Sequence, residues 1–217
     1  MDWLQTIVLW AVPVVFAITL HEAAHGYVAR MFGDQTAWML GRVTLNPIKH
    51  IDPVGTIAVP GALIALSAMT GAPLFLFGWA KPVPVNFNNL RNPKRDMFWV
   101  AGAGPAINFV MALLWALLLR LSLPGGVLGS DGFAEMANAG VQINLMLMAL
   151  NLLPILPLDG GRIAVSLMPR PMAASYSRLE PYGFMVVILL LATGLLGTLM
   201  QPLLRVGMAA VRLIVGA

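Results

Sequence analysis

Apolar residues run along this chain in long blocks, and the polar residues gather at the joints between them. A helix needs about 20 consecutive apolar residues to cross a bilayer, and on that measure residues 4–32 form a first span with a possible kink at Pro13. Gly33-Asp34 stops it. Residues 36–45 are too short to span and β-branched at their end, so they predict one or two short strands around Gly41. The turn signals Asn46-Pro47 and Asp52-Pro53 bracket a connector, and a second span follows over 54–77, made irregular by Gly71-Ala72-Pro73. Residues 78–96 are the longest polar stretch and predict a solvated or interfacial loop. A third span covers 97–121; a turn through Pro124-Gly125-Gly126 leads to a fourth, which begins near 133 and ends where Pro154 and Pro157 break the helix. A fifth covers 181–200, and the tail over 203–217, with Arg205 and Arg212, is either a sixth, tilted span or an interfacial helix. The expected fold is an all-α membrane protein, a polytopic bundle of five to six spans with a short β element after the first. It forms one domain over 1–217, with a core over 4–168 and additional spans in 179–217.

Composition agrees with the blocks. The chain is 59% hydrophobic and 10% charged, with a mean hydropathy of +0.83, values that a soluble domain of this size does not tolerate. The formal charge of +4 does not point to nucleic acid, because the 13 Lys and Arg are scattered between apolar blocks, as flanking residues of spans are. With no cysteine, any metal site must use histidine and carboxylate. Residues 3–20 lack a basic lead-in and a small-residue cleavage site, so they read as a retained segment rather than a signal peptide.

His21-Glu22-Ala23-Ala24-His25 then changes the picture. Two histidines four apart share one helix face and can reach one zinc ion, with the glutamate between them placed to take a proton from water at the metal. Of nine acidic residues, only Glu22 and Asp159 fall in apolar surroundings, where ionisable groups are functional by default. Glu22 buried without a partner would stay protonated or cost several kcal/mol. Prolines beside Asp159 imply irregular backbone at membrane depth, which survives only where protein encloses it or it lines a wet cavity. Blander roles remain open: His21 and His25 as donors between helices, Asp159 as an N-cap before Gly160-Gly161, and Asn144, Asn151 and Asn108 as helix-packing glue, the preferred role for Asn144. His50 with Asp52 is the runner-up ligand pair.

With both Leu158-Asp159-Gly160 and the HExxH segment present, the chain resembles the site-2 proteases, zinc intramembrane metalloproteases, in a compact form without an inserted PDZ or a CBS domain. The resemblance covers residues 4–168. It implies one zinc ion held by His21, His25 and Asp159, with Glu22 as general base. Asn151 matches the asparagine leading to the LDG motif, and Gly104-Pro105-Ala106-Ile107-Asn108 resembles the GPxxN element; Asn108 or Asn151 would hold substrate backbone or the oxyanion. It further implies a multi-pass protein of a bacterial or archaeal cell membrane, with a cytoplasm-proximal site and transmembrane proteins as substrates. A membrane-associated strand at 36–45 would pair with the unwound substrate. The alternative is a metal-ion transporter or channel using the same residues as a midplane site.

Overall fold

The computed structural model describes residues 3–70, 78–123 and 126–216; the expected irregularity at Gly71-Ala72-Pro73, the end of the second span and the turn at Pro124-Gly125 lie outside them. Helices account for the fold: α1 (Trp3–Met31), α2 (Thr36–Met39), α3 (Val59–Thr70), α4 (Pro93–Ser122), α5 (Asp131–Asn151), α6 (Asp159–Leu167), α7 (Arg170–Ser177), α8 (Glu180–Ala192) and α9 (Leu195–Val215). Helix α4 is the hub and touches α1, α5, α6 and α9. It starts with Pro93 at its first turn, where a missing N–H costs nothing. The Asp96 carboxylate there accepts from the Asn92 N–H at 2.7 Å.

The interior mixes small, apolar and polar side chains, and much of the outside is large and apolar. Ala112 and Ala116 of α4 pack on Val141, Leu145 and Met148 of α5 and Val211 of α9. Small residues let the helices close: a Cβ on Gly140 would lie 2.3 Å from the Trp115 ring, and one on Gly207 2.6 Å from Leu145. Asn108 and Asn144 are fully buried, whereas Leu213 and Met69 are each 85% exposed. An apolar exterior around a polar interior is the arrangement lipid selects.

One expectation needs correction, and a second is met only in part. Among the described residues there is no strand, and residues 36–45 begin with helix α2. The Asp34 carboxylate accepts from the Thr36 N–H and hydroxyl, which starts a helical turn. Gly41, at φ 63°, ends it: Gly41 N–H donates to Trp38 O and Arg42 N–H to Ala37 O, the Schellman pattern of a helix C-terminus. Nor are five to six spans reproduced. Three stretches of the described residues are long and apolar enough to cross a membrane: Pro53–Thr70, Pro93–Ser122 and Leu195–Val215. Polar residues account for α5, along which Asn138, Gln142, Asn144 and Asn151 lie, whereas α1 carries no charge over residues 4–20 and His21, Glu22 and His25 only after them. The segment expected at 181–200 is split by Gly194 in the left-handed region, which leaves α8 only 13 residues and joins residues 195–200 to the tail as α9.

The loop over 78–86 is extended and folds back on the site. Trp79 N–H donates to Gly55 O, Lys81 N–H to His50 O at 2.9 Å, and Val83 N–H to Glu22 Oε2 at 2.6 Å. Arg42 Nη2 donates to Lys81 O at 2.8 Å. Prolines 82 and 84 alternate with these donors, so an N–H is missing only where none is used.

Candidate metal centre

Helix α1 brings His21 and His25 to one face, and α4 covers that face. The imidazoles are nearly buried, at 8% and 9% exposure, and stand edge to face with ring centroids 4.7 Å apart. Asp159, the first residue of α6, reaches them from the other side of α4. Its Oδ2 lies 3.2 Å from His21 Nε2 and 3.3 Å from His25 Nε2, and the two Nε2 atoms are 3.1 Å apart. The cap of α6 is Leu158, with no side-chain capping bond, so Asp159 is not serving as an N-cap.

Proton placement decides what this cluster wants. His25 Nδ1 faces Val100 O at 2.8 Å; a carbonyl only accepts, so Nδ1 carries the proton and Nε2 presents a lone pair. His21 Nδ1 faces Asn108 Oδ1 at 2.5 Å, and the Asn108 amide nitrogen is committed to Ala17 O at 3.2 Å and Asn144 Oδ1 at 2.9 Å. Nδ1 is therefore the protonated atom here too. As neutral imidazoles, His21 and His25 thus aim two Nε2 lone pairs at Asp159 Oδ2, a buried atom without a hydrogen-bond partner. A cation resolves this. Ligand atoms about 2.0–2.1 Å from a tetrahedral zinc ion lie roughly 3.3 Å from one another, which matches the three separations above. The donor set, two neutral imidazoles and one carboxylate, is one that zinc accepts while leaving a position for water.

Glycines set the approach of the neighbouring backbone. A Cβ on Gly104 would lie 2.5 Å from both imidazoles, so α4 presses on the ligands with no side chain between. Cβ atoms on Gly160 and Gly161 would meet the 152–156 backbone at 2.3 and 2.5 Å, so the start of α6 needs both glycines to dock on the turn before it.

The remaining candidates separate. Glu22 is half-buried, and its Oε2 is held by Val83 N–H. Asn151, half-buried at the end of α5, donates to Leu147 O at 3.1 Å. His50 is buried and its Nε2 faces Thr44 O, while Asp52 caps the turn Pro53–Ala58 through Val54 and Gly55 N–H. That pair does not join the cluster: Asp52 is committed to the turn, and His50 Nδ1 is buried without a hydrogen-bond partner. Sequence reasoning missed Gly104 as a packing contact of the ligands and Val83 as the partner of Glu22. The GPxxN element pointed at Gly104; nothing in the sequence pointed at Val83.

Comparison with known proteins gives the family. The model of peptidase family M50 matches residues 9–130 and 125–193. The chain is 39% identical over 200 residues to YwhC of Bacillus subtilis, provisionally named a zinc metalloprotease, covering 90% of this chain and 85% of that one. It is 32% identical over 181 residues to Rip2 of Mycolicibacterium smegmatis, with the same provisional naming, covering 82% of this chain and 64% of the relative. Rip2 of Mycobacterium tuberculosis is 29% identical over 150 residues, 66% of this chain and 51% of that one. No solved structure matches the chain significantly. With a family model spanning most of its length and a relative aligned nearly end to end, the chain belongs to peptidase family M50.

Proposed function

We propose that this protein is a zinc endopeptidase that hydrolyses a peptide bond within or near a transmembrane segment of another membrane protein. The observation that carries the reading is the convergence of three ligand atoms from His21, His25 and Asp159, all within 4.8 Å, inside a bundle whose outer surface is largely apolar. Family membership and the zinc metalloprotease names of the relatives support it. In this reading His21, His25 and Asp159 hold one zinc ion per chain, which supplies Lewis acidity toward water and the scissile carbonyl. Glu22 takes the proton of the attacking water and returns it to the leaving amine. Val83 N–H holds Glu22 Oε2, leaving Oε1 to face the water.

A helical substrate hides its carbonyls in hydrogen bonds and must unwind before attack. Residues 36–45 open in a helical turn, so the strand expected there is not what receives the unwound segment. Asn151 keeps one amide N–H beyond the one given to Leu147 O, and that hydrogen serves the substrate carbonyl or the developing oxyanion. Glu22→Gln tests the assignment: the variant keeps its zinc by elemental analysis, while cleavage of a membrane-embedded model substrate falls below detection. Cleavage at the parental rate by Glu22→Gln removes the proposed chemistry.

A further inference from the structure

We propose that Asn108 and Asn144 form a relay that fixes the His21 proton on Nδ1 and so keeps Nε2 open to a metal; this rests on the metal-site reading above. A neutral imidazole carries its proton on either nitrogen, and only the Nδ1–H form offers Nε2. At His25 the choice is made by a backbone carbonyl, Val100 O, which cannot reverse its role. At His21 it is made by a side-chain amide, which can. Turned over, Asn108 would present its NH2 group to Nδ1 and select the form that binds no metal through Nε2.

What prevents the turn is the rest of the chain of bonds. Asn108 Nδ2 donates to Ala17 O, one turn before His21 on α1, and to Asn144 Oδ1 on α5. Asn144 is itself reversible, and its orientation is set by Nδ2 donating to Gly140 O at 2.9 Å. Two backbone carbonyls on two helices therefore dictate which face each amide shows. A turned Asn108 would place its oxygen against Ala17 O and Asn144 Oδ1, two acceptor-to-acceptor contacts at a fully buried site. Asn144 touches no ligand atom. It is a positioning residue for a site three bonded groups away, as outer partners of metal-binding histidines commonly are.

The experiment compares the full-length chain in detergent with Asn144→Leu, Asn144→Asp and Asn108→Leu, measuring zinc affinity by chelator competition and thermal unfolding of the zinc-free proteins. Asn108→Leu weakens zinc binding by about 100-fold and Asn144→Leu by about tenfold, while the zinc-free variants still melt cooperatively, somewhat below the parent because buried partners lose a hydrogen bond. Asn144→Asp stays close to parental affinity, because its carboxyl oxygen still accepts from Asn108 Nδ2. A pure packing role predicts another pattern, since the buried carboxyl would then be the worse substitution. Parental affinity in Asn144→Leu overturns the relay, and so does equal weakening in Asn144→Leu and Asn144→Asp. Should Asn144→Leu not fold, the parental zinc-loaded chain decides alone: its His21 Nδ1–H gives a ring N–H signal protected from solvent exchange, and fast exchange there overturns the proposal. Failure of the parental chain to bind zinc overturns the metal-site reading itself, whatever the variants do.

Discussion

At Gly104 one hydrogen atom separates a metal site from a blocked one. A methyl group there would sit 2.5 Å from His21 Cε1 and His25 Nε2 and 2.6 Å from His21 Nε2, well inside contact distance and against two rings that have no room to retreat. Helix propensity favours alanine over glycine, so Gly104→Ala should keep its helix content by circular dichroism while losing zinc binding by at least about tenfold. Parental zinc affinity in that variant would mean that the ligands are not packed against α4. The four candidate residues stand out in the sequence because each is costly where it stands: the spacing of His21 and His25 fixes their common face, and Glu22 and Asp159 are acidic residues within apolar stretches. Gly104 and Asn144 were not readable in the same way. What each does depends on which helix faces it, and a glycine or asparagine in a span has many other uses.

At the level of elements, local hydrogen bonding outweighed propensity. Val43 and Thr44 favour strand, but Asp34 supplies a side-chain acceptor that starts a helical turn, and Gly41 adopts the conformation that ends one. The same carboxylate ties α1 to the loop before α4: besides Thr36 it accepts from Asn86 N–H at 2.7 Å and Asn89 Nδ2 at 3.2 Å. Burial pushes the Asp34 carboxyl up, but the bonds from Thr36, Asn86 and Asn89 outweigh it and hold the group below its ordinary 3.8. A depressed native value means that the stabilisation is complete above that ordinary value and is lost as pH falls through the native one. Asp34→Asn should therefore unfold more easily than the parent at neutral pH, by about 2 kcal/mol, and the gap should close in acid well below 3.8. Thermal melts at the two pH values check this, and a gap independent of pH would clear the carboxylate of any role. Val83→Pro probes the neighbouring contact, because it removes the N–H that holds Glu22. Zinc content should be unchanged and turnover should fall about tenfold.

Across the whole molecule, basic residues sort to one end, which the sequence alone did not reveal. In the fold Arg91 N–H donates to Phe32 O, just past Arg30, and Lys94 Nζ donates to Met168 O, just before Arg170. Arg162 pairs with Glu180 at 2.9 Å at the same end. The opposite end is marked by Arg120 donating to Ile214 O, with Arg212 nearby and the acidic pair Asp131 and Glu135 at the start of α5. Lys and Arg within a turn or two of span ends are retained on the cytoplasmic side, so the end carrying Arg30, Arg91, Lys94, Arg95, Arg162, Arg170 and Arg178 should face the cytoplasm. The candidate metal centre lies in that half, since Asp159 begins the helix that carries Arg162. The absence of native cysteine makes this directly testable with single replacements at exposed positions. Arg95→Cys should react with a membrane-impermeant thiol reagent only when the cytoplasmic face is open to it, and Asp131→Cys only from the opposite face. Labelling in the reverse sense would invert the bundle and put substrate entry on the other side of the membrane.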